Sequence, residues 1–226
     1  MNQWSEIKPV VIFESDDFQN SWSRNGLNFL YYWKAKYPNF KVTLFTIPDK
    51  TTNEFLSMLP EWMEIAVHGF THESNFECFG WDYDKTKVLM ERTLKDPTYV
   101  RMFKSPGWTI TPGGPNDLGG CGYAAAPEDP INKDPQAVYK ALGDLQFTIV
   151  DRHYNKAARP DGVPIICIDC NDLIVHSHTW PMMTPNENER NGFEQVEMRG
   201  VPWDNNTEFF TMGEAWAKGL ILPCQP

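Results

Sequence analysis

Seven short apolar runs constrain the fold most. They are "KPVVIF" (8–13), "KVTLFT" (41–46), "MEIAVH" (63–68), "YVRMFK" (99–104), "QFTIVD" (146–151), "PIICID" (164–169) and "LIVHSH" (173–178). Their length and their β-branched and aromatic content predict strands. Between the first five lie segments with apolar residues at helical spacing: "SWSRNGLNFLYYWKAKYP", "TTNEFLSML", "DYDKTKVLMERTLK" and "PQAVYKALGDL". Ser21 or Ser23 is placed to cap the first, and Pro135 stands near the start of the last, where a missing N–H is tolerated. A closing helix is expected in "NTEFFTMGEAWAKGL" (206–220), with Asn206 or Thr207 as its cap. Strands alternating with helices predict a parallel sheet in an α/β fold. With no internal repeat and no linker, residues 1–226 are read as one domain.

Composition narrows the function. Apolar residues make up 41% of the chain, enough for a packed core. Against 30 acidic residues stand 20 basic ones, a net charge of −10. Nucleic acid and anionic membrane surfaces need a basic footprint, so neither is an expected partner. The opening "MNQWSEIKP" lacks a basic segment followed by an apolar one, and runs such as "VPIICI" are too short to span a bilayer. The five cysteines are scattered and read as reduced thiols of a cytoplasmic protein. Cys167 and Cys170 form a C-x-x-C, but no second cysteine pair completes a zinc set.

In parallel α/β folds, sites gather at the carboxyl ends of strands, on the loops that follow. Four features fall there. "VVIFESDDF" runs an apolar strand into Asp16 and Asp17. Aspartate is common in turns, but two in succession put like charges together with no gain in folding. On an extended segment their carboxylates would point to opposite sides and could take different roles. "VHGFTH" places His68 at a strand end with His72 four residues on; in a helical turn the two imidazoles would share a face and make half a metal site. Gly69 follows His68 where metalloproteases carry a glutamate base, so a base would have to come from elsewhere. "LIVHSHTW" sets His176 and His178 at strand spacing, facing one way. Finally, two long stretches, 111–130 and 184–206, are rich in Gly and Pro or polar residues and are expected to shape a substrate site.

Taken in order, "ESDDF", "HGFTH", "FKSPGW" and "LIVHSHTW" resemble the polysaccharide deacetylase family, carbohydrate esterase family four, over roughly residues 8 to 180. That resemblance implies a distorted, incomplete (β/α) barrel. It implies Asp17, His68 and His72 as ligands of a divalent metal, zinc first, and Asp16 as catalytic base. In "KSPGW" it implies Gly107 as the backbone N–H donor to an oxyanion, with Pro106 kept and Lys104 where the family usually has an arginine. Phe18 stands where a glycine is usual, so the chain looks like a divergent branch. The substrate implied is an N-acetylated carbohydrate or other sugar-containing molecule.

The chemistry is coherent on its own terms. Two histidines and one carboxylate leave positions open for water and substrate. A metal there lowers the pKa of water and polarises a carbonyl. Asp16 is placed to accept the water proton, and an amine leaving group needs an acid, a role suited to histidine. Of the two late histidines, His178 lies further toward the carboxyl end and is followed by Trp180; it is the favoured acid, with His176 packing or supporting it. Trp108, Trp180 and Trp203 fall in or beside the loops and could stack on sugar rings or fill the core. Two other readings use the same residues. An iron oxygenase generally needs a close His-x-Asp pair, which is absent at this spacing. A non-catalytic carbohydrate-binding protein would not need both Asp16 and a late-strand histidine. A small non-sugar amide stays open as an alternative substrate.

Overall fold

The computed structural model describes residues 9–21, 23–74, 76–108, 110, 135–151, 162–168, 171–178 and 204–223. All seven expected strands form: β1 (Val10–Phe18), β2 (Val42–Thr46), β3 (Met63–His68), β4 (Tyr99–Lys104), β5 (Thr148–Asp151), β6 (Ile165–Cys167) and β7 (Ile174–His178). The helices between them are α1 (Ser23–Lys36), α2 (Asn53–Ser57), α3 (Tyr83–Thr93) and α4 (Pro135–Asp144). β1 runs on past its expected end and carries both aspartates inside the sheet.

The strand order is β6-β5-β4-β3-β2-β1-β7, and every pairing is parallel. Neighbours in sequence are neighbours in space from β1 to β6, the order of a barrel rather than of a doubly wound sheet, which reverses direction midway. The two faces have different covers. On one, Phe13, Leu44, Val67 and Phe103 pack with Leu30 and Trp33 of α1, Met90 of α3 and Leu142 of α4. On the other, Ile12, Phe45, Ala66, Met102, Val150, Ile166 and Ile174 pack with one another across the sheet. Helices outside and side chains meeting inside make a curled, incomplete (β/α) barrel. The outer core is rich in aromatics: Phe13 lies 5.4 Å from Trp33 and 5.5 Å from Phe40, centroid to centroid. Trp33 is fully buried, so its truncation to Ala would cost about 3–5 kcal/mol.

The chain's end differs from expectation. In place of one long helix over 206–220 there is a short strand, β8 (Glu208–Phe210), parallel to the lower half of β1, followed by α5 (Met212–Ala217). Neither Asn206 nor Thr207 caps the helix; Thr211 does, in a capping box with Glu214. "TEFF" reads equally as a helical or an extended run, and an open edge on β1 decides for the strand. Half-buried Glu64 then fastens the helix start, accepting from Thr43 Oγ1 at 2.9 Å, Thr211 Oγ1 at 3.0 Å and Gly213 N at 2.9 Å. Met212 and Ala215 of α5 join the inner core. No helix among the described residues is long and apolar enough to cross a membrane.

Candidate active site

Inner-core parity points to the site. Two residues beyond Ala66, Met102 and Ile174 on the same strands come His68, Lys104 and His176; beyond Ile12 come Glu14 and Asp16. A side-chain period of two keeps each on the inner face, one or two steps nearer the carboxyl end. The apolar interior of the barrel thus gives way to a polar layer made by strands β1, β3, β4 and β7.

Asp16 and Asp17 do part company, but not by simple alternation. The β1–β2 register shifts between Ser15 and Phe18, and Asp17 takes a left-handed backbone with φ 61°. A bulge of this kind re-aims one side chain while the strand continues. Asp16 stays in register with β7, opposite His178. The Oδ1 of Asp17 stands 3.2 Å from Nε2 of His68 and 3.0 Å from Nε2 of His72. That oxygen is buried, yet none of its approaches to described residues has hydrogen-bond geometry. A buried carboxylate oxygen without a hydrogen bond is costly, whereas three atoms converging on one point are what a metal ion needs. One carboxylate and two imidazoles fit a divalent cation of the zinc type. Burial alone would raise the Asp17 pKa; the two imidazoles outweigh it and hold the carboxyl far below the usual range.

The histidine pair is not on a helix. His68 ends β3, Gly69 turns with φ 57°, and His72 itself has φ 48°. A side chain on Gly69 would collide with Glu77 and with the Pro106 ring, so glycine is needed on both counts. Glu77 holds the turn. Its carboxylate accepts from the backbone N–H of Phe70, from Thr71 N at 3.0 Å, from Thr71 Oγ1 at 2.6 Å and from His72 N at 2.8 Å. Nδ1 of His68 lies 3.2 Å from the Lys104 carbonyl, to which it can only donate, leaving the Nε2 lone pair toward Asp17. Burial lowers the His68 pKa, but the carboxylates of Asp16 and Asp17 outweigh it and the net shift is upward. Asp17 and His72 are non-glycine residues in a conformation that L side chains rarely adopt, a strain that collects at functional sites.

Glu77 is absent from the sequence reading because its role is local and architectural. Replacing it with Ala would leave up to three backbone N–H groups without their carboxylate partner. The expected result is a stability loss of about 3 kcal/mol. His72 would also lose its placement, so zinc affinity should fall roughly 10- to 100-fold. Urea unfolding and zinc titration of the variant measure the two effects separately.

Beside the three-residue cluster lies a second polar group. Nζ of Lys104, fully buried, is 2.7 Å from Asp16 Oδ1 and 2.5 Å from Glu14 Oε2. It reaches β1 from β4, three strands away, passing 4.0 Å over the Phe45 ring. Glu14 is also fully buried, and its other oxygen meets Nδ1 of His176 at 2.5 Å. Glu14 was not a candidate in the sequence, where it reads as one more residue of an acidic turn. Its parity with Ile12 and Asp16 was the signal that could have found it.

Pro106 is buried and packs against the position of Gly69, so the "SPGW" turn leans on the histidine loop. Gly107 has φ 58° within the turn Pro106–Trp108. Trp180, Trp203, Cys170 and nearly all of 111–130 and 184–206 lie outside the described residues. Cys78 and Cys167 are both buried.

No protein-family model matches the chain, and no curated protein does. Solved structures do. The Xyl-CE4 domain of a multidomain xylanase from the hindgut metagenome of Trinervitermes trinervoides is similar at TM-score 0.52 and 15% identity, covering 96% of this chain and 93% of that one. The fold is that of the polysaccharide deacetylases. The chitin deacetylase from the fungal pathogen Colletotrichum lindemuthianum shares this deacetylase fold at TM-score 0.51 and 13% identity, over 92% of this chain and 88% of that one. The fold agrees with the one that the resemblance read in the sequence implies, at 13% to 15% identity.

Proposed function

We propose that this chain is a metal-dependent hydrolase that removes an acetyl or similar acyl group from the amide nitrogen of a sugar. The observation that carries the reading is the buried Asp17 Oδ1, without a hydrogen bond among the described residues and facing two imidazole nitrogens, next to a second carboxylate held on a buried lysine. Asp17, His68 and His72 would hold the metal, with zinc first by donor type. When bound, such an ion acidifies water and polarises an acyl carbonyl.

The remaining work falls to the chain. Asp16, fixed by Lys104, is the base that accepts the proton of the attacking water. The Gly107 N–H donates to the oxygen of the acyl group as negative charge develops there. A histidine of β7 gives a proton to the departing nitrogen. Trp108 and Trp180 are proposed to meet the sugar, on the family pattern. Structural neighbours named for xylan and chitin support a polysaccharide or oligosaccharide substrate.

The test combines metal analysis of purified protein with acetate release from N-acetylated sugars, sugar nucleotides and small amides, with and without added zinc. Stoichiometric zinc and zinc-dependent acetate release from a sugar amide are expected. Protein that binds no divalent metal, or that cleaves none of these substrates when loaded, rules the proposal out.

A further inference from the structure

The group Glu14, Asp16 and His176 has the donors of a second metal site, all within 4.8 Å. Lys104 argues against that use. Its ammonium lies 2.5 Å and 2.7 Å from the two carboxylates, so the positive charge that a cation would bring is already supplied by the chain. What this arrangement does instead follows from Glu14, whose two oxygens have different partners. Oε2 meets Lys104 of β4, which in turn holds Asp16. Oε1 meets Nδ1 of His176 on β7. β1 and β7 are paired, and Glu14 and His176 are register partners, so the contact is built into the sheet.

We infer that Glu14 is a positioning residue that orients His176, rather than His178, as the proton donor to the leaving nitrogen. The inference rests on the proposed deacetylation. Burying a carboxylate is expensive unless charged partners compensate it. Lys104 meets Asp16 directly, whereas the second oxygen of Glu14 is turned away from the base and onto His176. With Nδ1–H donated to Glu14, proton exchange by the imidazole falls to Nε2. A carboxylate on Nδ1 also fixes the tautomer and the orientation of the ring, as in the serine protease triad. In the step itself, the Nε2 proton passes to nitrogen as the C–N bond breaks and its electron pair stays on nitrogen. The neutral imidazole keeps its Nδ1–H on Glu14 and regains a proton from solvent. One carboxylate would then connect the residue that holds the base with the residue that serves as acid.

The test uses zinc-loaded wild type, Glu14→Gln, His176→Ala, His178→Ala and the Glu14→Gln/His176→Ala double variant. Two substrates are compared: an N-acetylated amino-sugar oligomer, whose amine must be protonated, and an aryl acetate, whose phenolate need not be. Expected for Glu14→Gln is a loss of amide turnover of roughly 10²-fold, with aryl acetate cleavage within about tenfold of wild type. The double variant should be no worse in amide-to-ester ratio than His176→Ala alone, because the two act as one unit. The hydrogen-bonded Nδ1–H proton of His176, read by NMR independently of activity, should be present in wild type and lost in Glu14→Gln. Equal loss on both substrates in Glu14→Gln, or selective amide loss in His178→Ala and not in His176→Ala, overturns the assignment while leaving the hydrolase reading intact. A metal-loaded wild type without acetyl release overturns both. Should Glu14→Gln not fold, an unchanged amide-to-ester ratio in His176→Ala is still decisive against it.

Discussion

Replacing His68 with alanine is expected to empty the metal site and abolish hydrolysis. His68 is buried, and its ring is fixed at both nitrogens: Nδ1 donates to the Lys104 carbonyl at 3.2 Å, and Nε2 faces Asp17 at 3.2 Å. Its loss removes one of three converging donors. Loss of an outer-shell partner alone costs roughly 10- to 100-fold in metal affinity, so the loss of a ligand should cost more. His72→Ala should behave likewise, but with a smaller effect on folding, since His72 sits on an exposed turn edge and is only half-buried. Zinc per chain after dialysis and acetate release under zinc saturation are the two measurements. Full zinc content in His68→Ala would mean that the ligands lie elsewhere. Protons should compete with the metal: the net upward shift of the His68 pKa means that, as pH falls, this competition begins at a higher pH than for an unperturbed imidazole.

The barrel was legible because its signals are local. Seven apolar runs of strand length, spaced by helical periodicity, leave few arrangements, and each strand formed where its run lies. The closing segment was misread because "TEFF" carries no decisive periodicity; an unpaired stretch of β1, over a hundred and fifty residues earlier, turned it into β8. The candidate site was legible where chemistry shows in residue type: Asp17, His68 and His72, picked out as possible ligands, do converge. Glu14 and Glu77 were missed because nothing in their neighbourhood requires them. One acts across the interior through Lys104 and His176, the other by collecting backbone N–H groups of a turn. The helical turn expected at His68–His72 failed for a similar reason: Gly69 and the Glu77 carboxylate stabilise a left-handed turn that spacing cannot reveal.

The two neighbouring aspartates should fail in different ways. Asp17→Asn is expected to weaken zinc binding severely, because the anionic oxygen between the two imidazoles becomes a neutral amide. Asp16→Asn is expected to keep zinc and lose turnover by about 10²–10⁴-fold, the usual worth of a general base. The structural reason is the bulge at the end of β1: it turns Asp17 toward His68 and His72 and leaves Asp16 on Lys104, 2.7 Å from Nζ. Asparagine at position 16 can still accept a hydrogen bond from that ammonium, so the fold should survive. What it lacks is the capacity to take a proton. Lys104→Met tests the same division from the other side, since it would leave Asp16 and Glu14 buried side by side without their shared cation. Truncating one partner of a buried pair costs about 3–5 kcal/mol, so this variant should be markedly less stable than Asp16→Asn. Zinc content, thermal unfolding and acetate release on the three variants separate the roles. If Asp16→Asn and Asp17→Asn lose zinc equally, the two carboxylates share the metal, and the base must be sought elsewhere.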